Sequence, residues 1–548
     1  MTPSAHLDSF ARDNLPPRAQ WPDFLFGLPE LNYPDRINCA VELLDRRIEA
    51  GDGDRPCLIS PSENVSYAQL AERVNRIANV LTRDLGLLPG HRVLLRGPNS
   101  PMMVAAYLAV IKAGGVVVAT MPLLRAKEIA YPLAKAKIRL ALCDHRLAEE
   151  MEKARPLAGE VDRVVYWGSG ASDALEALMA KPGYEHFTAC DTASDDVCLI
   201  AFTSGTTGEP KGTMHFHRDM LATCDSYGRH VLRAQATDRF MGSPPLAFTF
   251  GLGGLVLFPL HVGAATILLE RAGPDDLLAA AAQFGATVCF TAPTAYRAML
   301  AKLAEHDISS LRKCVSAGET LPQATFDAWL AATGIKILDG IGATEMLHIF
   351  IGSPEDEIRP GATGRPVPGY EARVVDADGN EVPPNTLGRL AVRGPTGCRY
   401  LADKRQRAYV RDGWNITGDT YLMDADGYFW YQARSDDMIV SAGYNIAGPE
   451  VETALLTHPA IAECGVVGAP DAERGQIVKA YVVLRPGHAG DATLTKLLQD
   501  YVKANIAPYK YPRAIEYVAV LPRTQTGKLQ RFELRRMAGE PASHQLAS

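Results

Sequence analysis

At 548 residues the chain is too long for one ordinary core, so two or more domains are expected. A net charge of −7 with both signs interspersed, and 47% hydrophobic residues, fit a soluble globular protein and exclude nucleic acid or an anionic membrane as its main partner. No apolar run is long enough to span a bilayer, and the N-terminal MTPSAHLDSFARDNLPP carries Asp and Arg where a signal peptide needs an apolar core. The ten cysteines stand singly with no CxxC pair, which suggests free thiols in a reducing cytoplasm rather than a zinc site or a disulfide framework.

Residues 1–35, rich in Pro, Asp and aromatics, read as an irregular arm packed on the body. Helical patterns follow at 41–48 and 67–81, a strand ending in a turn at 92–100, a helix at 102–113 and an apolar strand at 114–119. Alternating strand and helix marks a parallel sheet with helices on both faces, whose ligands gather at the carboxyl ends of strands.

Val197-Cys198-Leu199-Ile200-Ala201-Phe202 reads as a buried strand that breaks into Thr203-Ser204-Gly205-Thr206-Thr207-Gly208-Glu209-Pro210-Lys211-Gly212. The glycines let several N–H groups point one way, the hydroxyls add donors and Lys211 adds a charge, which together make a nest for phosphate. The Walker spacing is absent, because the lysine follows Glu-Pro and precedes Gly. A solvated linker would need neither the strand before it nor the helically spaced Met220, Cys224, Tyr227 and Val231 after it.

Phe248 and Phe250, beside the glycines at 251, 253 and 254, could wall a flat apolar pocket or belong to an ordinary core. A strand ends at 289–294 and another at 313–319, where Ser316, Ala317 and Gly318 are small enough for a flat base to lie against the backbone; a plain tight turn explains them equally. In Asp339-Gly340-Ile341-Gly342-Ala343-Thr344-Glu345, Thr344 offers a hydroxyl to phosphate and Glu345 offers hard oxygens to Mg2+, although any helix start can carry such a pair. From 388 the chain turns β-rich, and Asp419 could accept from ribose hydroxyls or simply occupy a turn. Beyond 445 a helix opens at Pro449 and Glu450, strands follow at 461–467 and 476–484, an amphipathic helix at 494–504 and a last strand at 514–521. That is a compact α+β unit of roughly a hundred residues. Lys528 stands in a glycine turn, ordinarily a solvated place.

The run TSGTTGEPKG at 203–212 resembles the signature of the adenylate-forming enzymes, which include acyl-CoA synthetases, luciferases and peptide-synthetase adenylation domains, and the likeness covers nearly the whole chain. The resemblance implies an α/β fold. Its large domain, 1–435, is built of mostly parallel sheets flanked by helices plus a β-rich subdomain, and its small mobile α+β domain spans 436–548. It implies ATP, Mg2+ and coenzyme A, with a carboxylate first adenylated and then passed to a thiol. Thr203, Ser204, Gly205, Thr206, Thr207, Gly208 and Lys211 would cradle the β- and γ-phosphates. Ala317, Gly318, Glu319, Asp339, Gly340, Ile341 and Gly342 would border the base, and Asp419 with Arg434 would hold the ribose. Glu345 would hold the metal beside Thr344, and Lys528 the oxygen bridging carboxylate and α-phosphate. Asp436 matches the inter-domain pivot, and Ser441, Gly443 and Tyr444 match the face that receives coenzyme A. Two residues depart from the pattern: Ile341 stands where many relatives stack an aromatic on adenine, and Asn445 stands where some carry an arginine.

Residues 339–350 look most like the benzoate–CoA ligase branch, and those around 244–254 resemble its 2-aminobenzoate members. This implies an aryl slot lined by Tyr227, Phe248, Phe250, Ile341 and His348, with 2-aminobenzoate foremost. The expected partners are small molecules, on a monomer or homodimer. Other acids, or delivery to a carrier-protein thiol, stay open. A nucleotide-binding regulator without turnover is the rival from another class, and Lys211, Glu345, Asp419 and Lys528 together argue against it.

Overall fold

The computed structural model describes residues 3–159, 161–203, 210–434, 437–441, 444–471, 474–506, 508–523 and 528–539. Two large sheets dominate. In the six-stranded sheet the order is Arg163–Trp167, Leu140–Asp144, Arg92–Arg96, Val116–Thr120, Val197–Phe202 and Gly212–Phe216. Its first five strands are parallel and almost wholly apolar, as strands covered on both faces must be. The nine-stranded sheet has a parallel centre running from Ile337–Gly342 through Lys313–Ser316, Val288–Thr291, Arg239–Gly242 and Ala265–Ile267 to Pro56–Ile59, with antiparallel strands at each edge. One continuous core joins them. Helices Tyr67–Asn79 and Pro101–Lys112 bury Leu70, Val74, Met103 and Leu108 with Val93 and Leu95 of one sheet and Phe240 and Phe290 of the other.

Both helices start where their sequences say. Ser66 and Gln69 form a reciprocal capping box, and Ser100 accepts from the Met103 N–H ahead of Pro101. The N-terminal arm carries a short helix, Phe10–Asp13, and is pinned by the 2.7 Å Arg92–Asp8 ion pair and by Asp196, which accepts from the Ala5 N–H.

One element departs from the sequence reading. The run after the phosphate loop does not enter its helix directly: Gly212–Phe216 first pairs antiparallel with Val197–Phe202, and only then does the helix His217–Thr223 begin. Phe202 and Gly212, the last pair of that ladder, therefore stand on either side of residues 203–211. The short GTMHF run, with a histidine inside it, carries no strand pattern that local reading could detect.

Residues 371–434 form an antiparallel sheet in the order Glu371–Val375, Gly388–Arg393, Trp414–Met423 and Val410–Arg411, with Phe429–Arg434 also on Trp414–Met423. The last sheet is made only from residues 439–517: Tyr444–Ile446, Ile439–Ser441, Gly475–Leu484 and Ile461–Asp471, with Ala514–Tyr517 parallel to Gly475–Leu484. Helices Gly448–Leu456 and Ala492–Asn505 cover it through Val451, Leu455, Leu498 and Val502. All ten cysteines are free, and nine are buried. Cys39, Cys198 and His217 meet in the interior with their ligand atoms within 4.8 Å of one another, a grouping that the single spacing along the chain conceals. Among the described residues no helix is long and apolar enough to cross a membrane.

Candidate active site

A cleft of about 1660 Å³ runs between the carboxyl ends of the parallel strands and the small α+β unit, and Thr203, Lys211 and Lys528 all line it. Ser204, Gly205, Thr206, Thr207 and Gly208 lie outside the described residues. The base of their loop is closed on both sides. The Thr203 N–H donates to the Lys211 carbonyl at 3.0 Å, and the Lys211 N–H donates to Thr203 Oγ1 at 3.1 Å.

The floor is made of paired charges. Lys211 Nζ donates to the Tyr400 hydroxyl at 2.9 Å and stands 3.8 Å from Glu345 Oε1, while the Tyr400 hydroxyl donates to Glu345. The Lys211 ammonium also lies over the rings of Tyr400 and Tyr409, at 4.9 and 5.7 Å. Thr344 and Glu345 open a 3-10 turn, Thr344–Met346. His215 Nε2 donates to the Thr344 carbonyl at 2.8 Å. The His215 ring stands 3.7 Å from Asp219, which is ion-paired with the fully buried Arg399. Burial alone would raise the Asp219 pKa, but the Arg399 charge and His215 hold it below the usual carboxylate range. A single carboxylate, Glu345, next to the Thr344 hydroxyl on the lining of this cleft is a donor set that suits Mg2+. Tyr400, Arg399 and His215 had no signal in the sequence, because none lies in a motif that announces chemistry.

Ala317, Gly318 and Glu319, expected to border the base, leave the strand Lys313–Ser316, and Asp339, Gly340, Ile341 and Gly342 end the neighbouring strand; all line the cleft. Gly318 has φ +91°, and a Cβ there would stand 3.3 Å from Lys528 Cε, so the lysine stem lies against this glycine. Burial raises the pKa of Glu319 against the pull of Arg523, whose guanidinium reaches it across the cleft at 3.7 Å. Burial likewise pushes Asp339 up to about 8, against smaller downward pulls from the Gly340 N–H and the Ser316 hydroxyl. Asp419, buried on Trp414–Met423, lines the same cleft, and the antiparallel register sets it opposite Arg434.

Of the residues expected to form the acid pocket, Phe248, Phe250 and His348 line the cleft. His348 is packed among rings: Phe258 at 4.6 Å edge-on, Tyr227 at 5.3 Å, Phe250 at 5.7 Å and Phe290 at 6.4 Å between centroids. Gly253 must be glycine, since a Cβ would stand 2.2 Å from His348 Cδ2. Burial drives the His348 pKa down to about 3, against a weak upward pull from the Phe250 backbone. Neither ring nitrogen reaches a partner at hydrogen-bond distance among the described residues. Tyr227 is fully buried behind His348 and is not among the described residues that line the cleft. Asp436 and Gly443 lie outside the described residues. Ser441 and Tyr444 are paired on the small sheet, and Ser441 does not line the cleft.

Residues 44–400 match the AMP-binding enzyme family, and residues 450–528 match the AMP-binding enzyme C-terminal domain. The chain is 38% identical to the benzoate–CoA ligase of Thauera aromatica over 92% of its own length and 97% of that protein. It superposes on the crystal structure of the anthranilate CoA ligase AuaEII in complex with anthranoyl-AMP with a TM-score of 0.89 and 35% identity, covering 93% of this chain and 99% of that one. With a benzoate CoA ligase from Burkholderia xenovorans LB400 the TM-score is 0.83 and the identity 33%, over 91% of this chain and 100% of that one. A cleft lined by Thr203, Lys211, Glu345 and Lys528, together with these likenesses, means that the chain belongs to the AMP-binding enzyme family, in the benzoate–CoA ligase branch of the AMP-forming acid–CoA ligases.

Proposed function

We propose that the chain activates an aromatic carboxylate, 2-aminobenzoate foremost, first as the acyl-adenylate and then as the coenzyme A thioester. The observation that carries the aryl assignment is the acid end of the cleft, where Phe248, Phe250 and a neutral, buried His348 make an aromatic wall without charge. A flat apolar acid fits such a wall, and an ortho amino group would give a His348 nitrogen the partner it lacks among the described residues. The likeness to a ligase solved with anthranoyl-AMP supports the same choice.

In the first step the carboxylate attacks the α-phosphorus of ATP and pyrophosphate leaves. In the second, the coenzyme A thiol attacks the acyl carbon and AMP leaves. The substrates bring their own nucleophiles, so the protein's task is to hold two anions together and to neutralise the charge of an in-line transition state. Thr203 and Lys211 bind the β- and γ-phosphates with the loop between them, and Asp419 with Arg434 holds the ribose. The stretches 317–319 and 339–342 border the base, with Ile341 giving an apolar rather than stacked contact. Lys528 meets the oxygen bridging acid and α-phosphate. Glu345 holds Mg2+, which supplies Lewis-acid polarisation of the phosphates when bound. We further propose that 436–548 moves as a unit about Asp436. That motion would withdraw Lys528 after adenylation and bring Ser441, Gly443 and Tyr444 to the cleft for the thiol.

Pyrophosphate release with benzoate, 2-aminobenzoate, hexanoate and acetate tests the substrate class. The expected order has the two aryl acids well above both aliphatic ones, with 2-aminobenzoate first. Hexanoate equal to or better than the aryl acids would overturn the aryl reading, and benzoate ahead of 2-aminobenzoate would overturn the finer one.

A further inference from the structure

We infer that Tyr400 is a positioning residue, one that holds Lys211 and Glu345 at a set spacing so that both are available to nucleotide and metal. The inference rests on the function proposed above. It starts from the backbone. Strand Gly212–Phe216 carries the chain away from the phosphate loop, and residues 399–401 pair with it: the Met214 N–H donates to the Arg399 carbonyl and the Leu401 N–H to the Gly212 carbonyl, both at 2.8 Å. Thr213 and Tyr400 are the bridged residues between those bonds. Tyr400 is thus registered against the very strand that begins one residue after Lys211.

From that place two adjacent side chains reach the Thr344–Glu345 pair by separate routes. Tyr400 touches the Glu345 carboxylate directly. Arg399 acts through its ion pair with Asp219, which flanks His215, whose Nε2 holds the Thr344 carbonyl. The Tyr400 backbone is fixed in turn, since its N–H donates to Gln406 Oε1 at 2.9 Å, and its ring packs edge-on against Tyr409 at 5.7 Å. Tyr400 is fully buried, with its hydroxyl set between the ammonium and the carboxylate.

The hydroxyl therefore accepts from an ammonium and donates to a carboxylate at once, in a place with little water. Lys211 and Glu345 are already a loose ion pair at 3.8 Å, and without the hydroxyl they would close to hydrogen-bond distance. That tighter pair would have to break before a triphosphate could take the lysine and a metal could take the carboxylate. The hydroxyl weakens this competition while leaving both charges in line.

Tyr400→Phe keeps the ring and removes only the oxygen. Calorimetric titration with MgATP, without acid or coenzyme A, should show affinity lowered by about tenfold, the scale of one hydrogen bond to charged groups. In steady state the KM for MgATP should rise by the same factor with kcat nearly unchanged, and thioester formation from supplied acyl-adenylate should persist. In a Glu345→Gln background the same substitution should change MgATP affinity by less than about twofold, because the coupled partner is gone. Unchanged affinity, equal loss in both half-reactions, or an undiminished effect in the Glu345→Gln background would each overturn the proposal. A wild-type protein that binds MgATP yet activates no acid would overturn the function proposed above and leave this ratio of affinities to be decided on its own.

Discussion

At the floor of the cleft, Lys211, Tyr400 and Glu345 are joined by hydrogen bonds; Tyr400 is buried where it bridges Thr213, and Glu345 is buried in the turn Thr344–Met346. At the roof, Lys528 is exposed and lies against Gly318, and the ion pair across the cleft, Arg523 to Glu319, spans 3.7 Å. The floor meets its charges in a fixed, nearly dry setting, where electrostatic stabilisation is strong and needs no rearrangement. The roof reaches the strands through a long, partly buried ion pair and an exposed lysine. The proposed function would use both: a face that stays in place and a face that withdraws once the adenylate has formed.

The sharpest break of this comparison is Lys528→Ala. Acid-dependent pyrophosphate exchange should fall by about 10²–10³-fold, the usual cost of losing one donor aimed at developing charge. Thioester formation from supplied acyl-adenylate should survive. Equal loss of both steps would mean that roof and floor act as one rigid unit.

A smaller effect separates the acid end from ordinary surface chemistry. With a pKa of about 3, His348 stays neutral from pH 5 to 8, so the KM for the acid should show no inflection near 6.5. The sign for stability follows. As pH falls below 6.5 the unfolded chain takes up a proton that the folded chain refuses until about 3, so stability is full above 6.5 and lost on acidification. Thermal melts should show the wild type losing ground to His348→Asn by up to about 1.4 kcal/mol per pH unit in that window. Parallel melting curves would show that His348 titrates as an exposed histidine does.

The smallest effect belongs to the roof pair. Arg523→Ala should slow adenylation by about two- to fivefold, and less at high salt, as a partly exposed ion pair does. A loss as large as that of Lys528→Ala would show the roof to be fixed rather than weakly held.

The sequence named residues that the structure brings to one cleft where their segments are contiguous: Thr203 and Lys211 flank one short run after an apolar strand, Thr344 and Glu345 are neighbours, and Lys528 comes from the small unit. What was not legible is what couples them. Tyr400 meets Lys211 across 189 positions and Glu345 across 55, and Arg399 meets Asp219 across 180. Tyr227 fell on the buried face of its helix as its spacing predicts, yet spacing could not tell that His348 stands between it and the cleft.

Local pattern alone was enough for the alternation of strands and helices and for the helices Tyr67–Asn79 and Pro101–Lys112 to within a few residues. These depend on neighbours a few residues apart, which the chain carries wherever it folds. The antiparallel pairing of Gly212–Phe216 with Val197–Phe202, the meeting of Tyr400 with two opposite charges, and the contact of Lys528 with Gly318 were decided only by packing. They are set by which distant segments are buried together, and burial rewards apolar area without recording in the sequence which partners it will bring face to face.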